Sequence, residues 1–333
     1  MVYFALWGLG VLTGLAYGTF IFPSTRRIDS CTHEESKRRI SFIITMDQQT
    51  MKRLEGKVAI VTGAGTGIGE AIAHKFALEG AKLVLNGLPD DPVGDVAETL
   101  RNKGYEAIAY TGDVSEEEHA RTCVQQALDS YGRLDILINN AGMFLDTSEL
   151  QAYDVAVFDQ LLKNNLRSAF LMTKYALPHL QKSRGNIVSA GSEAGFNGLA
   201  QNAPYGGTKG FMHSFMKGVA VEQAQYGVRA NCVCPGAIDT AWTHKETGSM
   251  DKEMEKMLIQ ATPLARRGTP EEMANVYAFL ASDEASYVTG ALWLADGGVT
   301  VAKGPVGDMV PDKLKKEPKG ILELDHERDS IRA

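Results

Sequence analysis

The chain has 333 residues, 44% of them hydrophobic and 23% charged, enough for a hydrophobic core without a disulfide scaffold. Its net charge of −7 argues against a nucleic-acid partner, which would call for a basic face. The four cysteines form no CxxC pair; Cys232 and Cys234 alternate along an apparent strand and read as small buried side chains, so no metal site is expected.

Residues 1–22 carry no charged side chain. At about 1.5 Å per residue, such a helix is just long enough to cross a bilayer. Arg26, Arg27, Lys37, Arg38 and Arg39 follow it and would keep the rest of the chain cytoplasmic. No Lys or Arg precedes the apolar run, so a cleaved signal peptide is the less natural reading. Met46 and Met51 stand just before regular structure begins, so residues 1–50 read equally well as an over-extended translation start. The expectation is a cytoplasmic protein, or an anchored one whose following domain faces the cytoplasm. Membrane contact is expected only if residues 1–22 are a real anchor.

From Gly56 to Gly298 short β-branched runs alternate with longer amphipathic ones. Strands are predicted at 57–62, 81–86, 105–110, 134–139, 185–190, 228–233 and 291–296. Helices are predicted after Gly67, up to about Lys103, from Ser115, from Tyr153 to Gln181, from Pro204 to Tyr226 and from Pro270 to Ala281. Near-continuous apolar strands separated by helices imply a parallel sheet buried on both faces, doubly wound, in a single α/β domain over 51–302. Residues 303–333, rich in Pro, Gly and charge, read as an extended C-terminal tail.

The first strand runs into "TGAGTGIG", Thr62–Gly69. Gly63 permits a turn, Gly67 a close approach to a pyrophosphate, and Gly69 tight packing of the next helix, with Thr66 and Ile68 in the same cradle. The helix N-terminus supplies N–H groups and a positive dipole end for phosphates.

Further motifs follow in order: "NNAG" at Asn139–Gly142, Ser192, "YGGTK" at Tyr205–Lys209, and "PG" at Pro235–Gly236. Over about Leu54 to Val301 the chain resembles the short-chain dehydrogenase/reductase family, in its compact Rossmann-like branch. The resemblance implies a catalytic tetrad of Asn165, Ser192, Tyr205 and Lys209, and NAD or NADP as cofactor. The chemistry is coherent on its own terms. A phenol is a poor base at neutral pH. Tyr205 and Lys209 lie four apart on a predicted helix, hence on one face, where the ammonium favours a phenolate. By resemblance Lys209 also binds the nicotinamide ribose, Ser192 hydrogen-bonds the substrate oxygen, and Asn165 holds a water that links Lys209 to solvent. Taken singly, each has a plainer role: a helix-surface contact, a cap, a solvated asparagine.

The same resemblance puts Asp113 and Val114 on the adenine, Asn140, Ala141 and Gly142 along the cofactor cleft, and Pro235, Gly236, Ile238 and Thr240 around the nicotinamide. Asp113 competes with a second role, capping the helix after Ser115. The end of the second strand reads Asn86-Gly87-Leu88, with neither an acidic residue for a ribose diol nor a basic one for a 2′-phosphate; the lack of positive charge favours NAD over NADP, and Asp90 and Asp91 would add negative charge if they lie nearby. The segment from Ala237 to about Arg267, with Trp242, His244, Met250, Met254 and Met257, would close the pocket over a small-molecule alcohol or carbonyl.

The expected activity is hydride transfer between a nicotinamide and a secondary alcohol or ketone. A sugar-nucleotide epimerase or dehydratase would need a larger C-terminal domain than the roughly thirty-residue tail provides. A non-catalytic redox sensor would be expected to lack part of the tetrad, and a membrane scaffold rests only on residues 1–22. A homotetramer or homodimer is implied by resemblance, packed through the helices that carry Asn165 and Tyr205. The apolar residues Phe158, Leu162, Leu166 and Phe170 fit that role, or equally packing on the sheet.

Overall fold

In the computed structural model of the chain, residues 52–144, 146–240 and 252–316 are described. The apolar segment 1–22, its basic flank, Trp242, His244, Met250 and the tail beyond residue 316 lie outside them. Among the described residues no helix is long and apolar enough to cross a membrane.

Seven strands form one sheet: β1 (Val58–Thr62), β2 (Lys82–Gly87), β3 (Ala107–Thr111), β4 (Ile136–Asn139), β5 (Asn186–Ala190), β6 (Arg229–Pro235) and β7 (Leu292–Ala295). Their order is β3-β2-β1-β4-β5-β6-β7, and every neighbouring pair is parallel. The direction of winding reverses between β1 and β4, so the crevice beyond their C-terminal ends is where a ligand is expected to sit in such a sheet.

Helices α1 (Gly67–Leu78), α2 (Val93–Asn102), α3 (Glu117–Tyr131), α4 (Val155–Leu162), α5 (Ser168–Ser183), α6 (Ala203–Gln223), α7 (Lys252–Ala261) and α8 (Pro270–Ala281) connect or flank the strands. Alternate strand residues feed two cores. Ala59, Val61, Leu83 and Ile138 pack with Ile72, Phe76, Leu100 and Tyr277 on one face. Val58, Ile60, Leu137 and Cys232 pack with Met172, Leu180, Met212 and Met216 on the other. Burying side chains of this size contributes roughly 1.5–3 kcal/mol each.

The predicted elements stand with local shifts. β3 begins at Ala107 because the Tyr105 N–H donates to Leu100 O and closes the end of α2. Helix α3 begins at Glu117, two residues past Ser115, which lies wholly buried before it. The single long helix predicted from Tyr153 is α4 and α5 joined by a π turn, Lys163–Arg167, with Asp154 as its N-cap (Asp154 Oδ1 accepts from Ala156 N at 2.8 Å). Helix α8 starts at the predicted Pro270, behind a reciprocal Thr269–Glu272 capping box. Past β7 the chain lies along the end of α7, where Gly307 packs so tightly that a Cβ would come within 2.8 Å of Thr262 O.

Candidate active site

The crevice at the reversal point is built by Thr62. Its hydroxyl donates to Ile138 O (3.1 Å) and accepts from the N–H groups of Asn140 (3.1 Å) and Ala141 (3.0 Å), locking the ends of β1 and β4 together. Asn140 closes the other side, its Nδ2 donating to Thr62 O and Gly63 O, both at 3.1 Å. The sequence reading placed Asn140 along the cleft; its side chain is spent on bracing the glycine turn. Gly63 (φ 61°) lies against Ala141, and a Cβ there would stand 2.9 Å from Ala141 Cα. A Cβ on Gly69 would overlap Gly63 O and lie 2.6 Å from Asn140 Nδ2. Gly67 (φ 55°) opens α1, and a Cβ on it would meet Thr240 Cγ2 at 3.3 Å, so the "PG" loop faces the glycine turn across the cleft. Thr66 precedes α1 in extended conformation and makes no side-chain capping bond.

On the β2 side, the sequence offers Asp90 and Asp91 as negative charges without fixing where they lie, and it is Asp91 that faces the glycine turn. Its Oδ2 accepts from Leu88 N (2.8 Å), and its Cβ would be 3.2 Å from a Cβ on Gly65 and 3.0 Å from one on Gly87. Burial raises its carboxyl above the ordinary range, with Asp90 adding to the effect against the Leu88 bond. Asp113 does not cap the following helix, whose N-cap is Glu116; it closes the turn before it: Oδ1 accepts from Ser115 N (2.9 Å) and Ser115 Oγ (2.5 Å), and Lys163 pairs with it at 3.1 Å. Burial opposes its ionisation, yet those bonds and Lys163 hold it below the usual carboxylate range. Val114 is buried behind it.

Asn165 sits at the middle of the π turn, 4% exposed. Such turns re-aim side chains inward and recur at functional sites. Asn165 accepts from Met143 N (2.7 Å), donates to Met143 O (2.9 Å) and donates to Thr208 Oγ1 (3.2 Å). Thr208 in turn donates to Tyr205 O at 2.7 Å, tying Asn165 to the helix turn that carries Tyr205 and Lys209. Lys209 is 8% exposed; its Nζ donates to Ala190 O (3.1 Å) and stands 5.5 Å from the Tyr205 ring centroid. Gly142 completes the group: a Cβ there would lie 3.3 Å from Asn165 Oδ1 and 3.7 Å from Lys209 Nζ. Phe144 packs edge-on against Tyr205 with centroids 5.1 Å apart.

Ser192 follows β5 and caps the turn Glu193–Gly195, its Oγ accepting from Ala194 N at 3.1 Å. A Cβ on Gly206 would come 2.9 Å from Ala194 O, so that turn rests on the first turn of α6 beside Tyr205. Burial raises the Glu193 carboxyl, against a 2.9 Å bond from Asn197. Of the remaining expected residues, Pro235 ends β6 and Gly236 abuts Asp296, at 2.9 Å from its Cα to a Cβ on the glycine. Ile238 bridges Gly268. Arg267, largely buried, pairs with Asp239 (3.2 Å) and with Glu255 on α7 (3.1 Å), fastening that helix to the loop beyond β6. Met257 on the same helix is 60% exposed and takes no part in a helix core.

Thr62, Phe144 and Thr208 were missed as site residues. Thr62 and Thr208 lie inside the quoted motifs, so their positions were in view; nothing local marks Phe144.

Comparison with known proteins agrees with this geometry. The family described as enoyl-(acyl carrier protein) reductase matches residues 63–300. The chain is 37% identical over 273 residues to an uncharacterized oxidoreductase, YxbG, of Bacillus subtilis, covering 81% of this chain and all of that one. It is 38% identical to an L-fucose dehydrogenase of Bos taurus, over 80% of this chain and 98% of the relative. It is 37% identical to an L-rhamnose 1-dehydrogenase (NAD(P)(+)) of a Sphingomonas species, over 75% of this chain and 99% of the relative. The crystal structure of gox2181 superposes with a TM-score of 0.72 at 32% identity, covering 76% of this chain and 98% of that one. With the glycine turn, the NNAG segment and the Tyr205–Lys209 helix in these positions, the chain belongs to the short-chain dehydrogenase/reductase family of oxidoreductases.

Proposed function

We propose that the protein transfers a hydride between NAD and the carbinol carbon of a secondary alcohol or lactol, with Tyr205 as general acid and base. The observation that carries this reading is the convergence of Tyr205, Lys209, Asn165 and Gly142 beside the crevice at the β1–β4 reversal. The residues fit a dinucleotide: Gly63, Gly67 and Gly69 leave a cradle that side chains would fill, and the N-terminus of α1 opens into it. Bound there, the nicotinamide supplies the hydride acceptor or donor.

The chain's own groups do the rest. The Tyr205 hydroxyl takes the alcohol proton in oxidation and returns it in reduction. The Lys209 ammonium, held by Ala190 O, stabilises negative charge as it develops on that oxygen. Ser192 accepts from Ala194 N, which leaves its hydroxyl proton to donate to the substrate oxygen. The Asn165 side chain spends both amide N–H groups and one oxygen lone pair within the protein, so it can offer a water an acceptor but no N–H donor. Ala141, Ile238, Thr240, Pro235 and Gly236 line the nicotinamide end; Gly87, Leu88, Asp113 and Val114 line the adenosine end, Asp113 through its backbone.

NAD is favoured over NADP by the Asp91 carboxylate against Gly65 and Gly87, where a 2′-phosphate would meet negative charge. The sugar dehydrogenases among the relatives make aldose lactols, L-fucose and L-rhamnose included, the first substrates to try. A homodimer or homotetramer fits the outer face of α4, α5 and α6, where Val155, Phe158, Phe170 and Phe211 are exposed rather than turned to the sheet.

Calorimetric titration of NAD and NADP into the full chain tests the cofactor reading. NAD should bind in the micromolar range or tighter, and Gly67→Val, which strains the turn and crowds Thr240, should abolish binding without loss of fold. A folded protein that binds neither dinucleotide would overturn it.

A further inference from the structure

One cluster of reactive side chains has no part in the chemistry above. Cys232 and Cys234 point to the same face of β6, toward α6, where His213 brings its ring to meet them. All three side chains are buried, and their ligand-type atoms lie within 4.8 Å of one another. His213 Nε2 and Cys234 Sγ are 3.2 Å apart. Phe196 covers the imidazole, with ring centroids 4.5 Å apart. Opposite them stands Gly191, and this glycine is the telling feature. A Cβ on it would be 2.7 Å from Cys232 Sγ, 2.7 Å from His213 Nε2 and 2.9 Å from Cys234 Sγ. Three soft donors therefore surround the space that one missing side chain leaves open.

A disulfide does not fit. Residues two apart on a strand are separated by about 6.6 Å with parallel Cα–Cβ bonds, whereas a disulfide needs its Cβ atoms at about 3.5–4.5 Å. A metal does fit. Bond lengths of about 2.3 Å to sulfur and about 2.0 Å to nitrogen put neighbouring ligand atoms roughly 3.5–4 Å apart, within the spread seen here. Two sulfurs and one imidazole select soft ions over magnesium or calcium.

We propose that His213, Cys232 and Cys234 bind a single thiophilic metal ion, of the zinc, cadmium or copper(I) class, directly behind the Gly191–Ser192 turn. Binding forms two metal–sulfur bonds and one metal–nitrogen bond. Any thiol still protonated gives its proton to solvent, and no oxidant or reductant takes part. The site touches the catalytic group from behind. Gly191 N donates to Val233 O at 2.7 Å, and the preceding Ala190 O holds Lys209 Nζ. A metal drawing β6 and His213 together moves this turn, so occupancy lowers turnover. That last consequence rests on the proposed activity; binding itself does not.

The test is titration of the reduced, metal-free full chain with cobalt(II), read by its thiolate charge-transfer band and displaced by zinc. The expected result is a band that saturates at one equivalent and disappears in Cys232→Ser/Cys234→Ser and in His213→Gln. Both variants retain Cys31 and Cys123, so a band arising elsewhere would persist in them. Absence of the band, or its survival in both variants, overturns the proposal. Should the cysteine variant fail to fold, X-ray absorption of the zinc-loaded intact chain decides between two sulfurs with one nitrogen and a shell of light atoms only. The light-atom shell overturns it.

Discussion

Asn165 and Met143 hold each other by both backbone groups: the Met143 N–H donates to Asn165 Oδ1 at 2.7 Å, and Asn165 Nδ2 donates to Met143 O at 2.9 Å. A side chain from the middle of a helix thus acts as the pairing partner for a half-buried loop whose peptide groups would otherwise lose these bonds. The π turn makes this reach possible. Asn165→Ala should destabilise the protein by about 1–3 kcal/mol, the cost of leaving those groups unpaired. It should also lower kcat more than it weakens cofactor binding, because Met143 leads to Phe144, which packs on Tyr205. Thermal unfolding and kinetics on the same preparation check both; unchanged values for the two would remove Asn165 from its positioning role.

The glycine turn makes a sharper steric demand. A Cβ on Gly69 has no space beside Gly63 O and Asn140 Nδ2, and none of the three can yield without parting β1 from β4. Gly69→Ala should therefore cost about 3 kcal/mol or more, at the upper end for overpacking. Urea unfolding measures it. A variant as stable as the parent would mean that the turn is looser than described.

On the proposed reading, cofactor choice depends on Leu88 and Asp91. Leu88→Arg combined with Asp91→Asn replaces a negative charge with a positive one where a 2′-phosphate would lie. The kcat/KM ratio of NADP to NAD should rise at least roughly tenfold, a modest Coulomb effect at a partly solvated site. If the ratio stays put, the end of β2 does not read the ribose.

Among the carboxylates held below their ordinary range, Glu79 is shifted furthest. Burial opposes ionisation of Glu79, but hydrogen bonds from Arg53 and Lys75 and the Arg53 N–H outweigh it and hold the carboxyl at about 2. Arg53 Nη2 lies 2.6 Å from Glu79 Oε1. The folded-state value lies below the ordinary carboxylate one, so this stabilisation is fully present above about pH 4.5 and is lost as pH falls toward 2. Glu79→Gln should flatten the stability profile across that window by about 1–3 kcal/mol. An identical profile in parent and variant would assign acid sensitivity to other groups.

Much of the scaffold was legible in the sequence because it is periodic. Parallel strands buried on both faces need apolar runs, and each was visible; the connecting helices were visible too, except α7 (Lys252–Ala261), in the segment read only as closing the pocket. The glycine turn and the Tyr205–Lys209 pair were legible for a different reason: each function demands fixed residue types at fixed spacing. Other features depend on long-range contact and leave no local trace. The π turn is set by the pairing of Asn165 with a loop 22 residues earlier. Asp91 gains meaning only once its loop folds back on Gly65 and Gly87. Cys232 and Cys234 read correctly as buried, but His213 reaches them from a helix whose pattern looks merely amphipathic. The outward face of Phe158 and Phe170 could not be told from a core face by periodicity, since an interface and a core both ask for apolar residues at helical spacing.

The most direct test of the central claim is steady-state hydride transfer, followed at the nicotinamide absorbance band. The full chain would be assayed with NAD against L-fucose, L-rhamnose and simple secondary alcohols, beside Tyr205→Phe. NAD reduction is expected with at least one of these, and a loss of about 10²-fold to 10⁴-fold in kcat for Tyr205→Phe, with NAD affinity nearly unchanged. Turnover by Tyr205→Phe at the parent's rate would contradict that claim.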